Sequence, residues 1–307
     1  MFCYAGFPRA RVFLRERLAG TPLRVVEVDP SRPLEEQVGE AAALIPSMAR
    51  LTASVIAAAP RLKVIVQFGA GLEGVDRAAA EARGIPVRNV AGANAQAVGE
   101  LALFLMLALA RRLPEHRRSF DGRVVGDPVG SELQGKTLGI VGLGATGRAL
   151  ARMARGIGMR VVAVRRNAGG GQDPDAEWVG GTGDLDRLLA EADYVSLHLP
   201  TTPETRRIID AQRIAKMKPS ACLINVGRGD LVDRDALVAA LRERRIRGAG
   251  LDVYWEEPPD PADPLLAMDN VVATPHLGGL TEEAMARLAD RVAEILKESL
   301  LKEPPRP

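Results

Sequence analysis

Short apolar runs rich in β-branched residues alternate with helix-length segments along nearly the whole chain, and this constrains the fold more than any other feature. In the first third, LRVVEV (23–28), AALIP (42–46) and LKVIVQFG (62–69) read as strands, with helices over 52–59 and 75–83. After an irregular stretch at 119–135, the alternation restarts with TLGIVGLG, a helix over 147–158, MRVVAV, and a helix over 185–191. DYVSLHLP, a helix over 211–217, ACLINVG, a helix over 234–244, GAGLDVY and NVVATPH complete the series. Such alternation predicts an α/β fold of doubly wound parallel sheets with helices on both faces. Residues 281–302 place Met285, Leu288, Ala289, Val292, Ile295 and Leu296 at amphipathic-helix spacing, predicting a last helix that packs back on the first domain. The glycine run at 168–171 reads as a surface loop.

A chain of 307 residues is long enough for two domains, each with its own core. Forty-one basic residues against 39 acidic ones leave +2, which argues against nucleic acid or an acidic membrane as partner. The longest apolar run, LALFLMLALA at 101–110, is too short for a bilayer that needs about 20 residues. It reads as a helix apolar on nearly all sides, which needs a second cover besides its own core, and a partner subunit making a homodimer would supply one. Cys3 and Cys222 are the only cysteines, too few for a disulfide framework, which predicts a reducing cytoplasm. The N-terminus shows no secretion signal, and no metal site is expected.

Gly142-Leu143-Gly144-Ala145-Thr146-Gly147 matches G-x-G-x-x-G between a strand and a helix, the context that dinucleotide binding requires. The first glycine permits the tight turn, the second lets backbone approach a pyrophosphate, and the third lets helix and strand pack closely. At the end of the next strand, an NAD site usually carries an acid for the ribose 2′-OH. Here Arg165-Arg166-Asn167 stands instead, and two guanidinium forks suit a 2′-phosphate, so NADP is favoured over NAD. A competing match, GSELQGKT at 130–137, has the letters of a phosphate-cradling loop. It leads into a strand rather than a helix, and is set aside.

Three further stretches each place one polar residue beyond an apolar run: LINVGRGD with Arg228, GLDVYWEEP with Glu257, and NVVATPHLGG with His276. In a doubly wound sheet, ligands bind outside the carboxyl ends of the strands, where all three are expected. Hydride delivery to a keto carbon develops negative charge on oxygen, and a histidine can supply the proton it needs. A glutamate would hold the imidazolium, and an arginine would bind carboxylate and carbonyl oxygen together. Spacing alone does not separate Glu256 from Glu257. Of the other histidines, His116 sits among exposed arginines, and His198 ends DYVSLHLP without an evident acid partner.

From about residue 41 onward, FGAGLEGVD, GELALFLMLALARR, GKTLGIVGLGATGR, ADYVSLHLPTTPETRRIID, MKPSACLINVGRGDLVD, GLDVYWEEP and TPHLGG resemble the D-isomer-specific 2-hydroxyacid dehydrogenase family. The resemblance implies a Rossmann-type cofactor domain (96–279) inserted in a flavodoxin-like substrate domain (1–95 plus 280–307). It implies catalytic roles for Arg228, Glu257 and His276, and a substrate carboxylate bound by the backbone N–H groups of Ala70 and Gly71. Asp252 would hold the nicotinamide amide, with Ala145, Thr146, Pro200, Val226 and Gly227 lining the cofactor. The expected reaction is NAD(P)H-dependent reduction of a small 2-oxo acid such as glyoxylate or hydroxypyruvate. The alternative is a nucleotide-sensing, corepressor-like binding protein on the same fold.

Overall fold

The computed structural model describes residues 1–167 and 173–301. They form two compact units, one of Met1–Asn94 with the segment from Gly279 onward, the other Ala95–Gly278. The glycine run at 168–171 and Lys302 lie outside the described residues.

The first unit runs α1 (Pro8–Leu18), β1 (Ala43–Leu44), α2 (Ala53–Ala57), β2 (Val64–Gln67), α3 (Arg77–Ala82) and β3 (Val87–Asn89). The strands are parallel in the order β1-β2-β3. Phe2 widens this sheet by bridging Ile45 on one side and Glu27 on the other. In chain order the segments therefore lie 2-1-3-4-5, the flavodoxin-like winding. Val64, Ile65 and Val66 are wholly buried, as expected of a parallel strand covered on both faces. LRVVEV does not form the predicted strand. It contributes one bridge, at Glu27, and the bond from Phe2 N–H to the Val26 carbonyl at 2.9 Å. As the outermost segment it has a neighbour on one side only, and Val26 is left 52% exposed.

The second unit opens with α4 (Ala95–Ala110) and α5 (His116–Asp121), the latter running into the stretch predicted to be irregular. β4 (Thr137–Val141), α6 (Ala145–Gly156), β5 (Arg160–Val164), β6 (Trp178–Gly180), α7 (Leu185–Glu191) and β7 (Tyr194–Leu197) follow. Then come α8 (Ala211–Ile214), β8 (Cys222–Asn225), α9 (Arg234–Arg242), β9 (Gly248–Leu251) and β10 (Val271–Ala273). All seven strands are parallel, in the order β10-β9-β8-β7-β4-β5-β6. Winding proceeds one way from β4 through β6 and the other way from β7 through β10. The direction reverses between β4 and β7, the place where such sheets bind ligands beyond their carboxyl ends. The chain then returns to the first unit with α10 (Glu282–Leu301), which packs on α1 and β2.

Helix α4 buries Ala102, Leu105, Met106 and Leu109, in contact with α6, β8 and β9. Its other side leaves Phe104 46% and Leu107 44% exposed, so one of the two expected covers lies within the chain. No helix among the described residues is long and apolar enough to cross a membrane.

Candidate active site

At the carboxyl end of β4 the three glycines divide the work as their spacing suggests. Gly142 has φ +103°, and a Cβ there would lie 2.6 Å from the His198 carbonyl oxygen and 2.8 Å from Leu199 Cδ2. Only glycine permits this tight turn against the end of β7. A Cβ on Gly147 would collide with the Gly142 carbonyl and sit 3.0 Å from Ile140, so this glycine lets α6 close onto β4. A Cβ on Gly144 would meet nothing within 4 Å. Gly144 is the N-cap of α6, with no side chain capping the helix, and Ala145 beside it is exposed. Open backbone at an uncapped helix N-terminus fits a pyrophosphate, whose charge the free N–H groups attract.

Other predicted cofactor residues flank the same place. The Thr146 hydroxyl lies 3.2 Å from His198 Nδ1, and His198 Nε2 lies 2.9 Å from the Ser196 hydroxyl. Val226 is buried beyond β8, and a Cβ on Gly227 would lie 2.9 Å from the Leu199 carbonyl oxygen. Pro200 is exposed, its carbonyl accepting from the Thr205 hydroxyl at 2.8 Å. Desolvation pushes the His198 pKa down from 6.5 to about 4. The unfolded chain then binds the extra proton first, so stability is full above about pH 6.5 and is lost as pH falls toward 4. Between pH 7 and 5, urea denaturation of the wild type should lose about 2 kcal/mol more than that of His198→Gln. Equal losses in the two proteins would contradict the desolvated, neutral imidazole.

Beyond β5, Arg165 is half-buried and its N–H donates to the Gly180 carbonyl at 3.0 Å, while Arg166 is exposed. Arg165 Nε is buried and lacks a hydrogen-bond partner among the described residues. Two guanidiniums thus occupy the strand end where an acid would favour a free ribose hydroxyl.

The three polar residues expected on the carboxyl edge stand beyond β8, β9 and β10. Gly229 packs so closely on the backbone of Tyr254 and Trp255 that a Cβ would overlap it, which joins the Arg228 loop to the Glu257 loop. Glu257 Oε2 lies 2.7 Å from His276 Nδ1, and Glu257 Oε1 accepts from Tyr254 N–H at 3.0 Å. It is Glu257, not Glu256, that contacts His276, so the structure selects Glu257 as its partner. Desolvation raises the Glu257 pKa, but the His276 hydrogen bond and the charges of His276 and Arg228 outweigh it and hold the carboxyl below its usual range. An ionised carboxylate therefore holds Nδ1 of His276. His276 itself has φ +55°, a left-handed conformation that histidine tolerates better than most residues.

Asn225, which the sequence did not single out, and Asp252, which the family resemblance implied, build this edge. Asn225, buried at the end of β8, donates to the Arg228 carbonyl at 2.8 Å and accepts from Gly227 N–H at 3.1 Å. Asp252, also buried, accepts from the Thr274 hydroxyl at 2.6 Å, from Leu277 N–H at 2.7 Å and from Gly278 N–H at 2.8 Å. Burial raises the Asp252 pKa against these bonds. Most of its acceptor capacity is thus spent on clamping the segment that carries His276. Trp255 donates its indole N–H to the Val232 carbonyl at 2.8 Å.

In the first unit, Ala70 and Gly71 lie just beyond β2, Ala70 exposed and its carbonyl accepting from Asn89 Nδ2 at 2.7 Å. Among the described residues, no cluster of three or more His, Cys, Asp or Glu side chains could hold a metal ion.

Residues 103–278 match the family model of the D-isomer specific 2-hydroxyacid dehydrogenase NAD binding domain. The chain is 39% identical to a glyoxylate reductase of Korarchaeum cryptofilum, covering 88% of this chain and 83% of that one. It is 40% identical to a hydroxypyruvate reductase of Thermotoga maritima, covering 83% of each. It is also 40% identical to a D-3-phosphoglycerate dehydrogenase of Methanocaldococcus jannaschii, but spans 51% of that protein's length. The solved TT0316 protein of Thermus thermophilus superposes with a TM-score of 0.85 at 40% identity, covering 100% of this chain and 98% of that one. With the uncapped glycine turn and the Arg228, Glu257 and His276 edge on one parallel sheet, the chain belongs to the D-isomer-specific 2-hydroxyacid dehydrogenase family.

Proposed function

We propose that this chain reduces a small 2-oxo acid, glyoxylate or hydroxypyruvate, to the D-2-hydroxy acid, with NADPH preferred over NADH. The observation that carries the reading is the 2.7 Å contact between Glu257 and His276, on the same sheet edge as the dinucleotide turn. The relatives named for reduction of glyoxylate and hydroxypyruvate support the substrate class. No observation favours the nucleotide-sensing alternative.

The nicotinamide cofactor, when bound, supplies the hydride that reduces the keto carbon. Gly142, Gly144 and Gly147, with the N–H groups of Ala145 and Thr146, would hold its pyrophosphate. Pro200, Val226 and Gly227 would line it, and Asp252 would offer its remaining acceptor capacity to the amide. Arg228 draws the carbonyl oxygen and stabilises the negative charge that develops there. His276 gives its Nε2 proton to that oxygen, and Glu257 holds the imidazolium until it does so. Ala70 and Gly71 offer backbone N–H groups to the substrate carboxylate.

Arg165 and Arg166 support NADPH, since guanidinium forks complement a 2′-phosphate. Following absorbance of NADPH and NADH with glyoxylate and hydroxypyruvate tests this directly. Turnover should favour NADPH, and the double variant R165A/R166A should lose at least about tenfold in kcat/KM for NADPH and little for NADH. Turnover with NADH alone would overturn the cofactor preference, and none with either substrate would overturn the substrate class.

We further propose a cytoplasmic homodimer. Cys3 and Cys222 are both free thiols, in keeping with a reducing compartment. Phe104 and Leu107 on α4, with Phe120, Val125 and Val129 after it, expose large apolar side chains that a second copy would cover. Light scattering should give twice the chain mass for the wild type and the single chain mass for F104E/L107E. A monomeric wild type would contradict this assignment.

A further inference from the structure

We propose that Asn89 is a positioning residue that aims the backbone N–H of Gly71 at the carboxylate of the substrate, so that its side chain sets selectivity for acids over neutral carbonyl compounds. This rests on the reading of Ala70 and Gly71 as the carboxylate site.

The inference follows from peptide geometry. A trans peptide is planar, and its C=O and the following N–H point in opposite directions. The peptides on either side of Ala70 are trans. Val90 N–H grips the Gly69 carbonyl at 3.0 Å, so the N–H of Ala70, on the same plane, is turned away from the end of β3. Asn89 Nδ2 grips the Ala70 carbonyl at 2.7 Å, which turns the N–H of Gly71 away in the same manner. Two consecutive peptides are thus clamped through their oxygens by two consecutive residues at the end of β3. Among the described residues neither N–H has a hydrogen-bond partner.

Besides these two clamps, the start of the loop is held by the bond from Gly69 N–H to the Gln67 carbonyl at 3.0 Å. Gly69 has φ +146°, a conformation open to glycine alone, and a Cβ there would meet nothing within 4 Å. The neighbouring strand end is built alike: Gln67, paired in register with Asn89, donates Nε2 to the Ser47 carbonyl at 2.9 Å. Successive N–H groups held in one direction form an anion-binding concavity. Of the two, only the second depends on a side chain. The backbone clamp on Gly69 survives any substitution of Val90 except proline, whereas the clamp on Ala70 is lost whenever residue 89 cannot donate.

The test is steady-state kinetics of the full-length protein with NADPH and either glyoxylate or its neutral methyl ester, in the wild type, Asn89→Ala, Asn89→Asp and Gly71→Pro. Asn89→Asp is isosteric but cannot donate when ionised. The expected result is a KM for glyoxylate raised about tenfold in Asn89→Ala and more in Asn89→Asp, with kcat changed less than about twofold. The preference for glyoxylate over its ester should fall in parallel, and NADPH affinity by fluorescence quenching should stay unchanged. If both Asn89 variants keep the wild-type acid preference while Gly71→Pro loses it, the carboxylate site stands and the role of Asn89 is overturned. A fall in kcat and melting temperature at constant acid preference would make Asn89 merely structural and overturns the proposal too. If Gly71→Pro also keeps the acid preference, the underlying reading of Ala70 and Gly71 fails.

Discussion

Replacing His276 with alanine should lower kcat for NADPH-dependent reduction of glyoxylate about a thousandfold, within the range a positioned general acid supplies. KM and NADPH affinity should change little, because the imidazole acts on the developing oxyanion and the dinucleotide turn lies beyond other strands. Glu257→Gln should show a smaller loss, about tenfold to a hundredfold, since the imidazole keeps a hydrogen-bonding neighbour but loses its counter-charge. That ordering separates the two roles. In the proposed mechanism the carboxylate that contacts Nδ1 at 2.7 Å orients and holds the ring, and the ring transfers the proton. A rapid-quench measurement of the first turnover would confirm that the loss lies in the chemical step. A Glu257→Gln loss larger than that of His276→Ala would reverse the assignment.

The second large effect belongs to Arg228. Its replacement by alanine should cost about a thousandfold in kcat/KM, because in the proposed mechanism one side chain both attracts the anionic substrate and stabilises the oxyanion. Arg228→Lys should recover only a small part, since an ammonium lacks the planar fork that binds two oxygens together. Asn225→Ala should follow in the same direction with a loss of about tenfold, because Asn225 holds the Arg228 carbonyl at 2.8 Å and so fixes the loop rather than the charge. Kinetics of the three variants with glyoxylate would check this. Wild-type kcat/KM in Arg228→Ala would remove arginine from the site.

The parts of the fold legible in the sequence were those whose signal is local. Strands β4, β7 and β8 are short, largely apolar runs buried along their whole length, and the glycine turn announces itself between a strand and a helix. α10 carries a broad apolar stripe that closes against α1 and β2. What escaped was weak or non-local. α1 buries only a narrow stripe, Ala10, Leu14 and Leu18, spaced four apart among arginines. One of those arginines, Arg11, is itself buried with Nη1 donating to the Ala5 carbonyl at 2.8 Å, which no spacing rule anticipates. β3 and β6 have three residues each, too few for a period to show. LRVVEV has the opposite fault: its composition suits a strand, but its outer position gives it one neighbour and a single bridge.

The site divides along the same line. Arg228, Glu257 and His276 could be picked out because each residue type is demanded by the chemistry and each follows an apolar run. The choice of Glu257 over Glu256 required the contact with His276 across 19 positions. Asp252 was reached only through the family resemblance and Asn225 not at all, because both act on backbone brought near by the sheet. Arg165 and Arg166 were visible, and the cofactor preference proposed for them awaits the comparison of NADPH with NADH.

The most direct test is the chirality of the product. Hydroxypyruvate incubated with NADPH and the wild-type protein should yield D-glycerate alone, one equivalent for each NADPH oxidised, and His276→Ala should yield almost none. L-glycerate, a racemic mixture, or NADPH binding without any product would contradict the D-specific reduction assigned to Arg228, Glu257 and His276.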